Sequence, residues 1–451
     1  MDAKFVLEAI VVLAAILMGT RAGGIGVGVW GGLGVAVLVF LFQEKPGEPP
    51  IDAMLIILVV VTSASLMQAA GGIDWMVKVA AGIIAKHPKQ INLLAPLTAF
   101  AFSVGAGTSN ILYPLLPVIY DVSYRNNIRP SRPLSLAVAQ SGMALACSPV
   151  SAAMAAMLTL TSVSPYNFDL VQILSITIPA CLVGIVVTSF IVGRLGTELE
   201  EDPEVQALVA AGKLEPPGGG SGGGPGGTSV ELTATKEGRN SAIVFLLGVV
   251  VIVIFGLFPD LRPAFGKNGL TPISMTLTIE LVMFTVGVLI ILVGKPNVAE
   301  VPGLSVFKSG MTAAIALFGI AWLTATFIAA HEEYIVTTIG GWVTNYKFIF
   351  ALAVFLVAAL TTSQSTATNT IVPIGLAVGL SPALVAGMWA GGLEGVYTLP
   401  ANGTQIAAAN FDASGTTKLG TKLLDHSFFV PMLSMAVISV ATGAAIATIF
   451  Y

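Results

Sequence analysis

The sequence predicts an all-α polytopic membrane protein, with about ten transmembrane helices and two re-entrant hairpins in two inverted-topology repeats. Three observations carry this. First, 10% of the 451 residues are charged and 55% are hydrophobic, with mean hydropathy +0.90, whereas a globular domain carries about 25% charged residues. Second, the apolar runs are too long and too numerous for one buried core. Third, polar interruptions of those runs occur twice, in nearly constant register. Gly107-Thr108-Ser109-Asn110 precedes Pro117, and Ser363-Gln364-Ser365-Thr366-Ala367-Thr368-Asn369 precedes Pro373. Later in each half come Ser148-Pro149-Val150-Ser151 and Thr398-Leu399-Pro400-Ala401-Asn402-Gly403-Thr404. The prolines repeat at offsets of 256 (373 − 117) and 251 (400 − 149). Paired, interrupted apolar segments at matching places in two halves point to the binding site of a secondary transporter.

In chain order, the spans fall at 3–20, 23–42, 51–70, 134–157, 169–193, 241–258, 272–293, 306–330, 382–409 and 428–450. Each approaches the ~20 residues that cross ~30 Å of hydrocarbon. The first could imitate a signal-peptide core, but another Gly-rich apolar span follows Arg21 at once, so it reads as a retained helix. Its neighbour Gly23-Gly24-Ile25-Gly26-Val27-Gly28 superficially resembles a dinucleotide fingerprint; without a βαβ context it reads as helix packing. The segments 91–123 and 348–379 hold the polar tips and read as hairpins, while 134–157 and 382–409 read as broken helices. Residues 73–86 and 331–347 read as interfacial helices leading into the hairpins, with Trp75 and Trp342 at headgroup level. The stretch 194–240 begins acidic and becomes a Gly/Pro-rich tract, a flexible cytoplasmic linker joining repeat 1–193 to repeat 241–451.

Charge sets the orientation. The first hairpin is flanked by Lys78, Lys86, His87 and Lys89 before it and by Arg125, Arg129 and Arg132 after it. Both flanks are basic, so both belong in the cytoplasm and the segment has not crossed. The second is flanked by His331, Glu332, Glu333 and Lys347, then by the uncharged 377–382, so it enters from the outside. Both termini then fall outside, and Arg21 and the linker inside.

Non-helical backbone in a bilayer must be buried in protein or line a hydrated cavity, so two tips and two breaks point to one central site. The expected substrate-binding residues are Gly107, Thr108, Ser109 and Asn110; Ser148, Pro149 and Ser151; Ser363, Gln364, Ser365, Thr366, Thr368 and Asn369; and Thr398, Pro400, Asn402 and Thr404. Gln140 and Ser141 add polar groups, and none of the segments 91–123, 134–157 and 348–379 contains Lys or Arg. Hydroxyls, amides and N–H groups at helix N-termini can hold a carboxylate without a full positive charge. Two facing sites suit a small molecule with an anionic group at each end. A single Ser or Thr in a span is otherwise helix-packing glue. Unwound carbonyls at the tips could also coordinate Na⁺. Glu394, in the second broken helix, is a candidate proton-coupling site or, alternatively, a residue facing a hydrated interface; Glu280 lies outside the repeated core.

No nucleophile–base–acid set, zinc spacing or phosphate loop is visible, so no enzyme activity and no cofactor are expected beyond a coupling H⁺ or Na⁺. A net charge of −4 gives no nucleic-acid footprint. Cys147 and Cys181 lie in apolar stretches and read as buried, inert thiols.

Several stretches together resemble the anaerobic C4-dicarboxylate transporter (Dcu) family, closest to its B-type fumarate–succinate antiporters. They are Pro46-Gly47-Glu48-Pro49-Pro50-Ile51-Asp52, Gln68-Ala69-Ala70-Gly71-Gly72-Ile73-Asp74, Asn126-Asn127-Ile128-Arg129-Pro130, Ser148-Pro149-Val150-Ser151, Asp260-Leu261-Arg262-Pro263 and Phe411-Asp412 through Thr417. The resemblance spans both halves and leaves out 194–240. It implies exchange of fumarate, succinate, malate or aspartate across a bacterial inner membrane, and kinship to ion transporters with paired hairpins that work as homodimers by an elevator motion. Glu394 and Asn402-Gly403 depart from the family pattern. A Na⁺- or H⁺-coupled carrier of another organic anion is the alternative.

The charge reading is checked by single-cysteine labelling in a variant lacking Cys147 and Cys181. A membrane-impermeant thiol reagent should label Ser381→Cys from outside sealed cells and leave Arg125→Cys unlabelled. External labelling at 125 would overturn the inverted arrangement.

Overall fold

The computed structural model describes residues 3–218, 234–265, 271–334, 346–400, 402–420 and 425–451. Among them are eighteen α-helices and one two-residue β-ladder, so the expected all-α architecture is found. In the first half run α1 (Ala3–Ala22), α2 (Gly26–Phe40), α3 (Ile51–Ala69), α4 (Gly72–Lys86), α5 (Ile91–Ala106), α6 (Leu116–Arg125), α7 (Ser131–Ala144), α8 (Ala152–Thr161), α9 (Leu170–Val192) and α10 (Pro203–Ala210). In the second run α11 (Lys236–Leu257), α12 (Met275–Gly294), α13 (Ser305–Tyr334), α14 (Ile349–Thr361), α15 (Gln364–Ala377), α16 (Pro382–Gly392), α17 (Gly403–Phe411) and α18 (Phe429–Phe450). Strands β1 (Ala264–Phe265) and β2 (Thr271–Pro272) pair antiparallel between α11 and α12.

Among the described residues, seven helical stretches are long and apolar enough to cross a membrane. They correspond to seven of the ten expected spans; α2, with 15 residues, is shorter than a full crossing. The long helices start where side chains satisfy the first N–H groups. Asp169 and Gln172 form a capping box on α9, Oδ1 accepting from Gln172 N at 3.0 Å and Gln172 Oε1 from Asp169 N at 2.8 Å. Thr235, Ser274 and Ser381 cap α11, α12 and α16. Of the expected interfacial helices, α4 covers the first; Trp342 and the rest of 335–345 lie outside the described residues.

The heaviest packing joins the two halves of the chain: α9 lies on α18, and α2 on α13. The glycine run after α1 serves that contact. A Cβ on Gly28 would stand 2.0 Å from the Ile315 carbonyl oxygen, and one on Gly31 2.7 Å from that of Gly319. Two groups of helices result. One contains α1 to α4 and α11 to α13; the other contains α5 to α9 and α14 to α18. They meet along α13–α15, α4–α5 and α3–α8.

Part of the stretch 194–240 packs on the rest of the chain. Residues 194–218 are ordered against the base of the first hairpin, while 219–233 lie outside the described residues. Arg129 Nη1 reaches Asp202 Oδ2 at 2.5 Å, and Arg132 reaches Glu198 Oε1 at 2.7 Å and the Leu195 carbonyl at 2.7 Å. Leu199 and Val205 are buried against Tyr120 and Tyr124. Two apolar anchors and two arginines supply what composition does not reveal. At the other end of α13, Glu8 of α1 meets His331 at 2.8 Å, where α13 kinks.

Burial by itself would raise the Asp202 carboxyl, but the Arg129 hydrogen bond, the Arg129 charge and the N–H groups of Val205 and Glu204 hold it below the usual aspartate range. A depressed folded value means that the pair stabilises above the ordinary aspartate value, near ~3.9, and that this is lost as pH falls through the folded one. Asp202→Asn should therefore loosen 194–218 at neutral pH, costing about 1.5–3 kcal/mol locally. Limited proteolysis checks this, with faster cleavage in that segment expected.

Candidate functional site

Both hairpins are built alike. α5 ends at Gly107 in the left-handed region (φ 68°), and Thr108 then caps the next helical stretch, accepting from Asn110 N–H at 3.2 Å. That stretch runs as a 3-10 turn over Ser109–Leu115 into α6. α14 ends at Thr362 (φ 49°), and Ser363 caps α15, accepting from Thr366 N–H at 3.2 Å. The Thr366 hydroxyl also donates to Ser363 Oγ at 2.9 Å.

The broken helices repeat the scheme. Pro149 lacks a backbone donor and biases the residue before it away from helix, and Ser148 is extended (φ −98°, ψ 122°). Ser151 then caps α8, accepting from Met154 N–H at 3.0 Å, while its hydroxyl donates to the Leu145 carbonyl at 2.5 Å across the break. After Pro400, Asn402 caps α17 in a capping box with Gln405. Gln405 Nε2 bridges this break as well, donating to the Tyr397 carbonyl at 3.0 Å. Thr108 and Ser363 stand 255 residues apart (363 − 108), and Ser151 and Asn402 stand 251 apart (402 − 151).

All four capping residues line one cavity of about 450 Å³ at the seam between the two helix groups. Of the expected binding residues, Gly107, Thr108, Ser109, Asn110, Ser151, Ser363, Gln364, Ser365, Thr366, Asn402 and Thr404 line it. Ser148, Pro149, Thr368, Asn369, Thr398 and Pro400 do not. Ser148 and Pro149 shape the first break. Thr368 accepts from Trp389 Nε1 at 2.8 Å, and Asn369 donates to the Ser365 carbonyl at 2.7 Å, so both serve packing. Thr398 accepts at its carbonyl from His426 at 3.0 Å.

The opposite wall was not foreseen. Gly23 and Gly24, residues 56–64 of α3, and Ser309, Gly310 and Thr312 of α13 complete the lining, with Tyr113 and Thr362 beside the tips. No Lys, Arg, His, Asp or Glu lines the cavity among the described residues.

Glu394 is fully buried and is absent from that lining. Its Oε1 accepts from Met143 N–H at 3.2 Å, and a Cβ on Gly142 would stand 2.8 Å from that oxygen. Gln364 of the second tip donates to the Gly142 carbonyl at 3.3 Å, so a single residue of α7 separates the acid from a cavity-lining amide. Beside it, Ser141 Oγ and Tyr397 Oη share a 2.5 Å hydrogen bond. Cys147 and Cys181 are free and buried.

Comparison with known proteins places this geometry. A family model described as anaerobic C4-dicarboxylate membrane transporter matches residues 4–451. The anaerobic C4-dicarboxylate transporter DcuB of Escherichia coli O6:H1 is 35% identical over 442 residues, covering 97% of each chain. The C4-dicarboxylate transporter DcuA of Helicobacter pylori is 36% identical over 448 residues, again covering 97% of each. Two solved structures share the fold at low identity. The YdaH transporter of Alcanivorax borkumensis has a TM-score of 0.57 and 13% identity, with 88% of this chain and 84% of that one covered. MtrF of Neisseria gonorrhoeae, of a class of antimetabolite efflux pumps, has a TM-score of 0.55 and 12% identity, covering 100% and 95%.

Proposed function

Because the chain belongs to the anaerobic C4-dicarboxylate membrane transporter family, we propose that it exchanges fumarate, succinate, malate or aspartate across the bacterial inner membrane. It is a multi-pass membrane carrier, not an enzyme. The observation that carries the reading is the convergence of four capped helix N-termini on one uncharged cavity. An N-terminus is equivalent to roughly +0.5 charge, so two per carboxylate offer roughly +1, and four match a dianion.

Exchange follows from energetics. Bringing a dianion into a negative-inside cell at 100 mV costs about 4.6 kcal/mol, at about 2.3 per charge. Swapping one dianion for another cancels that cost, and cotransported cations offset it. The alternative, a Na⁺- or H⁺-coupled carrier of another organic anion, draws on the unwound carbonyls at the same tips. The inverted repeats 1–193 and 241–451, a homodimer, external termini and an elevator displacement belong to the proposal. Its support is the place of the cavity, at a seam between two separately packed helix groups.

Counterflow tests the function. Proteoliposomes loaded with unlabelled succinate should accumulate labelled succinate, and an absence of trans-stimulation would sink the exchanger. Asn110→Ala, whose side chain lines the cavity, should weaken succinate binding about ten- to a hundredfold, the loss of one hydrogen bond to a charged group. Wild-type affinity there would move the site off the first tip.

We assign Glu394 as the site of a coupled proton, on the support of its burial one residue behind Gln364. Exchange needs only the loaded carrier to move, whereas net uptake must also return it empty and release the proton. Glu394→Gln should thus spare succinate–succinate exchange and abolish the pH dependence of net uptake. An intact pH dependence would exclude Glu394, and loss of both activities would make it structural.

A further inference from the structure

We propose that the Thr362 hydroxyl contacts the substrate at the second tip and makes the two ends of the site unequal. This rests on the dicarboxylate reading above. Among the described residues, five non-glycine residues have positive φ: Gln43, Asn127, Asn167, Lys295 and Thr362. Thr362 alone among them is β-branched, the side-chain type for which the left-handed region is most costly. Its repeat counterpart, 255 residues earlier (362 − 107), is Gly107, the residue such a turn favours. Chain geometry therefore does not call for a threonine here.

The two turns meet different surroundings. A Cβ on Gly107 would stand 2.6 Å from the Val150 carbonyl oxygen, so the first turn is closed by packing against the first break. Thr362 is exposed and lines the cavity. Its neighbours are committed elsewhere. The Thr361 hydroxyl donates to the Val357 carbonyl at 2.7 Å, and Ser363 Oγ receives Thr366 N–H and its hydroxyl. Among the described residues, the Thr362 hydroxyl has no hydrogen-bond partner and opens on the cavity. A strained residue that faces a site, with its polar group unused by the protein, indicates a use for that group in the site. The ligand chemistry is a carboxylate oxygen, which accepts the hydroxyl proton as a hydrogen bond. At the first tip, bare glycine backbone offers nothing equivalent.

The experiment pairs affinity with stability in the purified, full-length protein, with succinate as the probe. Thr362→Gly should bind succinate about ten- to a hundredfold more weakly. Its thermal midpoint should be unchanged or higher, since glycine adopts this φ freely. Thr362→Ala keeps the unfavourable backbone and should lose the same affinity, so a poorly folding glycine variant would not blunt the test. Thr362→Ser restores the hydroxyl and should bind as wild type does. Wild-type affinity in the Gly or Ala variant would overturn the proposal, as would a Ser variant that binds as weakly as Gly. A wild-type protein that binds no C4-dicarboxylate would instead remove the functional reading on which this one rests.

Discussion

Everything in this fold depends on one constraint: a helix that starts inside a membrane protein must satisfy its first N–H groups away from bulk water. The chain meets it four times, with Thr108, Ser151, Ser363 and Asn402, and each side chain takes up part of what its own helix start demands. A capping oxygen satisfies one or two donors, and the rest face the shared space. The cavity, and the anion binding proposed for it, thus trace to the same unfinished hydrogen bonding. Prolines enforce it by stopping each broken helix from healing across the gap.

A site of dipoles suits a carrier better than a site of fixed charges. A buried arginine would hold a carboxylate strongly, but in the empty carrier it would stand as an uncompensated charge. N-termini present partial charge that their own caps and water can satisfy. The cavity can then empty and refill at modest cost, as the proposed exchange requires on every cycle. It also explains why the chain's arginines lie elsewhere, Arg129 and Arg132 clamping residues 194–218 to the base of the first hairpin.

The tips and breaks were legible because their signals are local: Gly or Pro beside Ser, Thr and Asn, twice, at a fixed offset. The spans were legible from hydropathy for the same reason. What was missed has no local signal. Ser309 and Thr312 sit in a continuous helix, and their cavity face is decided by how α13 crosses α15. Gly23, Gly24 and Gly28 all read as packing; Gly28 does pack, but Gly23 and Gly24 line the cavity. Ser148, Thr368 and Asn369 carry the right chemistry beside a break or a tip, yet extended backbone or a competing partner takes them off the lining. The ordered 194–218 segment was hidden because Leu199 and Val205 are too few to colour an acidic composition.

Symmetry explains where Glu394 sits. Its hydrogen-bond partner, Met143, lies 251 residues earlier (394 − 143), the offset that relates Pro149 to Pro400. Beside that pair, Ser141 and Tyr397 share a hydrogen bond between the same two segments. On the inverted repeats proposed above, a residue that bonds its own counterpart lies near the axis relating them, where the two broken helices cross. A close helix crossing tolerates only a small residue, and Gly142 provides it: a Cβ there would stand 2.8 Å from Glu394 Oε1 and 3.3 Å from the Tyr397 ring. Glu394 breaks the symmetry at that point, since the matching position is a methionine. Together with Thr362 opposite Gly107, it makes the two halves chemically distinct, Thr362 on the cavity lining and Glu394 one residue behind it. Two equal carboxylate sites would be enough to hold a symmetric dianion; the substitutions at 362 and 394 give the second half an additional hydroxyl and an acid with no counterpart in the first.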